Sequence, residues 1–129
     1  MSRLGIAALL AIVGVLRAEA QTVPGPEFDA TIQQGIEYIY NLEFENAERV
    51  FREVIAAHPK HPAGHFFLAM VTWWRIQIDI EDERYDEQFY DSLDYVIELC
   101  DELLDKNEND VTALFFKGGA IGFKGRLKA

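Results

Sequence analysis

Residues 35–59 read GIEYIYNLEFENAERVFREVIAAHP, and the placing of small and aromatic residues in this stretch decides the fold. Gly35 is followed three residues on by Tyr38. After a short turn at 41–43, Ala47 is followed four residues on by Phe51, and Pro59 closes the stretch. Residues three and four apart share one face of an α-helix. Two such faces on either side of a turn describe two antiparallel helices packed face to face, the second ended by proline. Phe44, Ala47, Val50, Phe51, Val54 and Ile55 recur at three and four residues, which predicts one buried face on a helix over about 44–57. Glu45 with Arg49, and Glu48 with Arg52, stand four apart in the favourable order on its exposed side.

Working outward, Asp29 is placed to cap a first helix that runs to about Tyr40 and turns Ile32, Ile36 and Ile39 inward. Downstream, the run His58-Pro-Lys-His-Pro62 ends the second helix and starts a third over about 62–77, because proline suits the first helical turn. The third helix starts 34 residues after Phe28. A similar start recurs at Val111, 49 residues further on, where Leu114-Phe-Phe-Lys-Gly118 matches His65-Phe-Phe-Leu-Ala69. The excess over 34 predicts an acidic insertion near 78–90, before a fourth helix over about 91–105. Leu93, Val96, Ile97, Cys100, Leu103 and Leu104 form the apolar stripe of that fourth helix. Asp110 can cap a fifth helix.

The pattern resembles the tetratricopeptide repeat. The resemblance covers residues 28–129, about two and a half units. Its signature places are held by Gly35, Tyr38, Ala47, Phe51 and Pro59 in the first unit, by Leu68 and Ala69 in the second, and by Gly118 in the third. Thr31, Gln34, His65 and Thr72 depart from the family's usual residues. The resemblance implies an all-α, right-handed solenoid of stacked helical hairpins that binds a peptide or protein segment in a concave groove. It places Ile36, Tyr40, Phe66, Met70, Trp73, Trp74, Phe115 and Phe123 on that groove. Trp73 and Trp74 point about 100° apart on a helix, so one can pack inward while the other faces a partner; burial of both, partly under the insertion, is the favoured of the two readings.

The first residues are set apart from the fold. A basic opening at Arg3, an apolar run over 4–16 and the small-x-small pattern Ala18-Glu-Ala20 read as an export signal over 1–20, followed by a flexible leader over 21–27. Thirteen apolar residues are too short to span a bilayer core of about 30 Å, so no membrane span is expected after cleavage; an uncleaved anchor is the alternative. The mature chain is then expected in the periplasm or outside the cell. The formal charge is −10, and losing Arg3, Arg17 and Glu19 leaves 10 basic and 21 acidic residues, a net −11. That balance argues against nucleic acid as a partner. The single cysteine, Cys100, falls on the fourth helix's apolar stripe and is expected to be buried.

Candidate chemistry is sparse. His58, His61 and His65 are read as parts of a turn rather than as a zinc site. The acidic run at 79–83 lacks the spacing and turn glycine of a calcium loop. Gly118, Gly119, Gly122 and Gly125 lack the phosphate-loop pattern and are read as a place where helices approach closely. No nucleophile-base pattern appears. The chain is therefore read as non-catalytic, without cofactor or metal. Terminal repeats of solenoids normally carry a polar outer face. The Phe- and Gly-rich fifth helix lacks one, so either the sequence continues past Ala129 or another chain completes the unit. Self-association through this helix, or a role as the repeat arm of a larger exported enzyme, are the alternatives to a binding groove.

Overall fold

A computed structural model describes residues 24–127; the stretch read as an export signal, 1–20, and residues 21–23 of the expected leader lie outside the described residues. Those described form five α-helices and one 3-10 turn, with no strand among them. The helices are α1 (Pro26–Tyr40), α2 (Phe44–Ala57), α3 (Pro62–Ile78), α4 (Asp86–Lys106) and α5 (Val111–Leu127), with the 3-10 turn at Glu83–Tyr85. Each helix packs on the next, and α1 with α3 and α3 with α5 also touch, so the architecture is an all-α, repeat-like succession of helical hairpins.

α1 begins at Pro26, inside the expected leader, with Gly25 as its cap residue. Proline is suited to this first position because its missing N–H would have had no partner there. Asp29 therefore sits in the first turn beside Glu27 rather than at the cap, where both favour the positive end of the helix. The ring of Phe28 fixes the start of α1 by packing edge-on against His58 and His61, at 5.2 and 4.7 Å between centroids. At the other end, Leu42 N–H donates to the Ile39 carbonyl (2.9 Å) and Glu43 N–H to the Tyr38 carbonyl (2.8 Å). This is the Schellman closure, and it requires a left-handed residue that is usually glycine. Here Leu42 takes that role at φ 60°.

α2 spans the predicted residues, and Ala47, Val50, Phe51 and Val54 are buried. A Cβ on Gly35 would lie 2.4 Å from Phe51 Cζ, so only glycine lets the ring rest on the backbone of α1. The expected ion pairs along α2 are replaced. Arg49 pairs forward with Glu53 at 3.4 Å, and Glu48 reaches across to Arg75 of α3. Pairs along an exposed helix face contribute only about 0.3–0.5 kcal/mol, so a partner on another helix readily displaces them.

α3 is the central helix, touching all four others and the 3-10 turn. That explains why it is buried nearly all round, from Pro62 to Ile76. α4 starts five residues earlier than expected. Asp86 and Glu87 occupy its first turn, and Phe89 is fully buried, 5.4 Å from Trp73 between ring centroids. The burial of Phe89 draws the expected insertion into helix, leaving only 79–85 outside α3 and α4. α5 is capped as expected, with Ala113 N–H donating to Asp110 Oδ1 at 3.0 Å. It lies on the core through Ala113, Phe116 and Ala120. Lys117 and Lys124 pair with Asp101 and Asp94 of α4. Among the described residues no helix is long and apolar enough to cross a membrane.

Candidate functional site

The eight residues expected on the groove fall into two sets. Phe66, Met70 and Trp73 are buried in the core and offer no contact area to a partner. The ring of Phe66 meets Phe116 at 5.3 Å and Phe123 at 6.1 Å between centroids, and Trp73 meets Phe123 at 5.3 Å as well as Phe89. Phe66 and Trp73 instead form, with Phe89, Phe116 and Phe123, an aromatic layer between α3, α4 and α5. Of the two tryptophans, one packs inward and the other, Trp74, is 43% exposed. Tyr40 is 79% exposed, Phe115 is exposed on α5, and Ile36 and Phe123 are partly buried.

The exposed apolar residues of α1 and α3 gather at the C-terminal ends of these helices. Tyr40 ends α1 and the exposed Leu42 forms its turn, while Trp74 and the exposed Ile78 lie in the last turns of α3, with the exposed Ile80 just beyond. The two ends meet: Arg75, next to Trp74, lines with Leu42, Glu43, Phe44, Glu45 and Asn46 an open cleft of about 370 Å3. Its guanidinium lies over the Phe44 ring, 5.6 Å from the centroid. Asp79, Glu81, Asp82 and Glu83 flank the two isoleucines, and Arg84 is held by Asp82. That pairing lowers the Asp82 pKa, through the side-chain hydrogen bond first. Leu42, Ile78 and Ile80 escaped the sequence reading because they lie in or beside turns. Their signal was present nonetheless, since an apolar residue in a turn has little chance of burial.

The signature residues of the first unit are placed as a packed hairpin. Gly35, Ala47 and Phe51 are buried, Tyr38 is partly buried, and Pro59 is exposed in the turn before α3. In the second unit Ala69 is buried and Leu68 partly so. The third unit differs. Offsets of 34 and 49 residues carry α1 onto α3 and α3 onto α5, and so align Ile32, Phe66 and Phe115. Ile32 is 8% and Phe66 7% exposed, but Phe115 is 68% exposed. The same offsets align buried Gly35 and Ala69 with exposed Gly118, and buried Ile39 and Trp73 with exposed Gly122. A Cβ on Gly118, Gly122 or Gly125 would meet nothing within 4 Å. Close helix approach, expected of all four glycines, thus holds only for Gly119, whose added Cβ would lie 3.2 Å from Phe66 Cε2.

The histidines serve the turn between α2 and α3. His61 caps α3, its Nδ1 accepting from Ala63 N–H at 3.2 Å, and His65 Nε2 lies 2.9 Å from the Pro59 carbonyl oxygen. Burial, and then the neighbouring His58, push the His61 pKa below its usual 6.5. Among the described residues no group of three or more His, Cys, Asp or Glu side chains is placed to hold a metal ion. Cys100 is fully buried, and burial first, then Asp101, push its thiol up to about 11. A thiol at that value is almost wholly protonated at neutral pH and inert as a nucleophile. Compared with family models, with curated proteins and with solved structures, the chain matches none.

Proposed function

We propose that the chain is a non-catalytic interaction module of an exported protein, a tetratricopeptide-like stack of hairpins that binds a segment of another protein. The observation that carries this reading is the set of exposed apolar residues at the C-terminal ends of α1 and α3, namely Tyr40, Leu42, Trp74, Ile78 and Ile80, of which Leu42 lines the Arg75 cleft. Exposed aromatic and aliphatic residues carried on packed helices suit a binding hot spot, since little ordering is left to be done when a partner arrives. The carboxylates at 79–83 would favour a segment that combines apolar and basic residues. Tyr40, at 79% exposed, and Trp74, at 43%, are the two aromatic residues of this set.

Display selection of short peptides on the full chain tests the reading. The selected peptides are expected to be basic and apolar, and to bind the Tyr40→Ala/Trp74→Ala double variant at least about 10-fold more weakly, with the far-ultraviolet helix signal unchanged. Peptides that bind the double variant as well as the parent would overturn the assignment. A second reading, self-association, is favoured by the bare face of α5.

A further inference from the structure

The fifth helix is apolar on two opposite faces. Ala113, Phe116 and Ala120 face the core. Val111, Leu114, Phe115 and Ile121 are all more than half exposed on the other side. At about 100° per residue these four and Gly118, Gly122 and Gly125 fall within about 60° of one line along the helix, and none of the seven is charged. A glycine in a helix costs about 1 kcal/mol relative to alanine, so three bare ones on one line need a close neighbour to offset them. No element among the described residues supplies it.

We infer that this face is a homodimer contact, in which α5 of one copy lies antiparallel against α5 of a second about a two-fold axis at Gly118. The size pattern carries the choice of occupant. The bulky residues stand in the first half of the stripe and two of the three glycines in the second half. Antiparallel pairing lays Phe115 over Gly122 of the second copy and Val111 over its Gly125, while Leu114 meets Ile121 and the two Gly118 backbones meet on the axis. The patch is thus complementary to itself, as a two-fold contact requires. Parallel pairing would instead set bulk on bulk and leave the glycines facing gaps.

Charge points the same way. Glu108 and Asp110 lie at the start of α5, and Lys124 and Arg126 at its end. Lys117 and Lys124 are paired within the chain, whereas Arg126 is exposed with no carboxylate partner among the described residues. Antiparallel pairing brings the basic end of each helix to the acidic end of the other and sets the helix dipoles in opposition. A 17-residue helix is about 25 Å long, and one such face buries well under the ~1,200–2,000 Å2 of a stable interface. The dimer is therefore weak.

Sedimentation of the full chain over a range reaching about 500 µM tests the inference. A monomer–dimer equilibrium is expected, with Phe115→Glu and Gly118→Leu each weakening it by at least about 10-fold. Both sites are solvent-exposed, so neither change disturbs the monomer fold. A chain that stays monomeric throughout overturns the inference and assigns the face to a different helix. Association that both variants leave unchanged also overturns it, since it would then arise elsewhere, as in the apolar run at 4–16. Register is read by oxidation. Gly118→Cys is expected to cross-link to itself on the axis, while Val111→Cys, about 21 Å from its own mate in the antiparallel register, is not. Equal self-cross-linking of the two contradicts the antiparallel arrangement.

Discussion

The first hairpin and the last helix use the same residues in opposite circumstances. Gly35 in α1 and Gly118 in α5 occupy corresponding places, yet one lies under the ring of Phe51 and the other faces open space. Ile32 and Phe115 correspond as well, and only the first is covered. A repeat signature therefore records what a position can pack against, not whether something packs there. In α1 the glycine is a structural requirement. In α5 it is a notch whose occupant must come from outside the described residues.

The largest expected contrast is between the two aromatics. Phe51→Ala removes a ring with no exposed surface and is expected to cost about 3–5 kcal/mol in urea unfolding. Phe115→Ala is expected to stay within about 0.5 kcal/mol of the parent at low protein concentration. Comparable losses would erase the distinction between a covered and a bare face. The glycines sharpen the comparison by sign. Gly35→Ala drives a methyl into Phe51 and is expected to destabilise by about 1–3 kcal/mol. Gly118→Ala, with nothing within 4 Å, is expected to stabilise by about 0.5–1 kcal/mol. Shifts of the same sign would show that the two sites are not as different as their surroundings.

A smaller effect is expected at the turn that joins α1 to α2. Leu42 holds a left-handed conformation without help from burial, and Leu42→Gly is expected to raise stability by about 0.5–1 kcal/mol. A loss on that substitution would mean the leucine makes a contact that stabilises the hairpin. The least effect is pH dependence at His61. Its folded pKa lies below the unfolded value, so the unfolded chain binds more protons between the two. The stability it contributes is complete above about pH 6.5 and is lost as the pH falls through the folded pKa. His61→Asn keeps a capping side chain but no titration, so its urea midpoint should fall less than the parent's between pH 7.5 and 5. An equal fall would place the pH sensitivity on other groups.

Much of this fold is legible in the sequence. α2 shows its buried face because its apolar residues recur on one side only, and its bounds follow from the turn and the proline. α5's cap follows from Asp110. Three features were not legible, each for a physical reason. Pro26 starts α1 because a proline near a helix reads equally as a breaker or as a first residue. α4 reaches back to Asp86 because one buried ring, Phe89, outweighs a run of carboxylates that looks like a loop. The groove assignment divided because α3 and α5 are apolar around most of their circumference, and such a helix has no amphipathic pattern to say which side is inward. Only the partners that α3 has, and that α5 lacks on one side, distinguish Phe66 and Trp73 from Phe115.

Thiol labelling addresses that difference most directly. Ile32→Cys, Phe66→Cys and Phe115→Cys put the same probe at three corresponding places, with the buried Cys100 as an internal reference. At sub-micromolar protein, where the proposed dimer is dissociated, Phe115→Cys is expected to react at the rate of a free thiol. The other two are expected to react only through opening of the fold, slower by at least ~1,000-fold. Protection of Phe115→Cys equal to that of the other two would contradict the account, because the third repeat position would then be covered within the single chain.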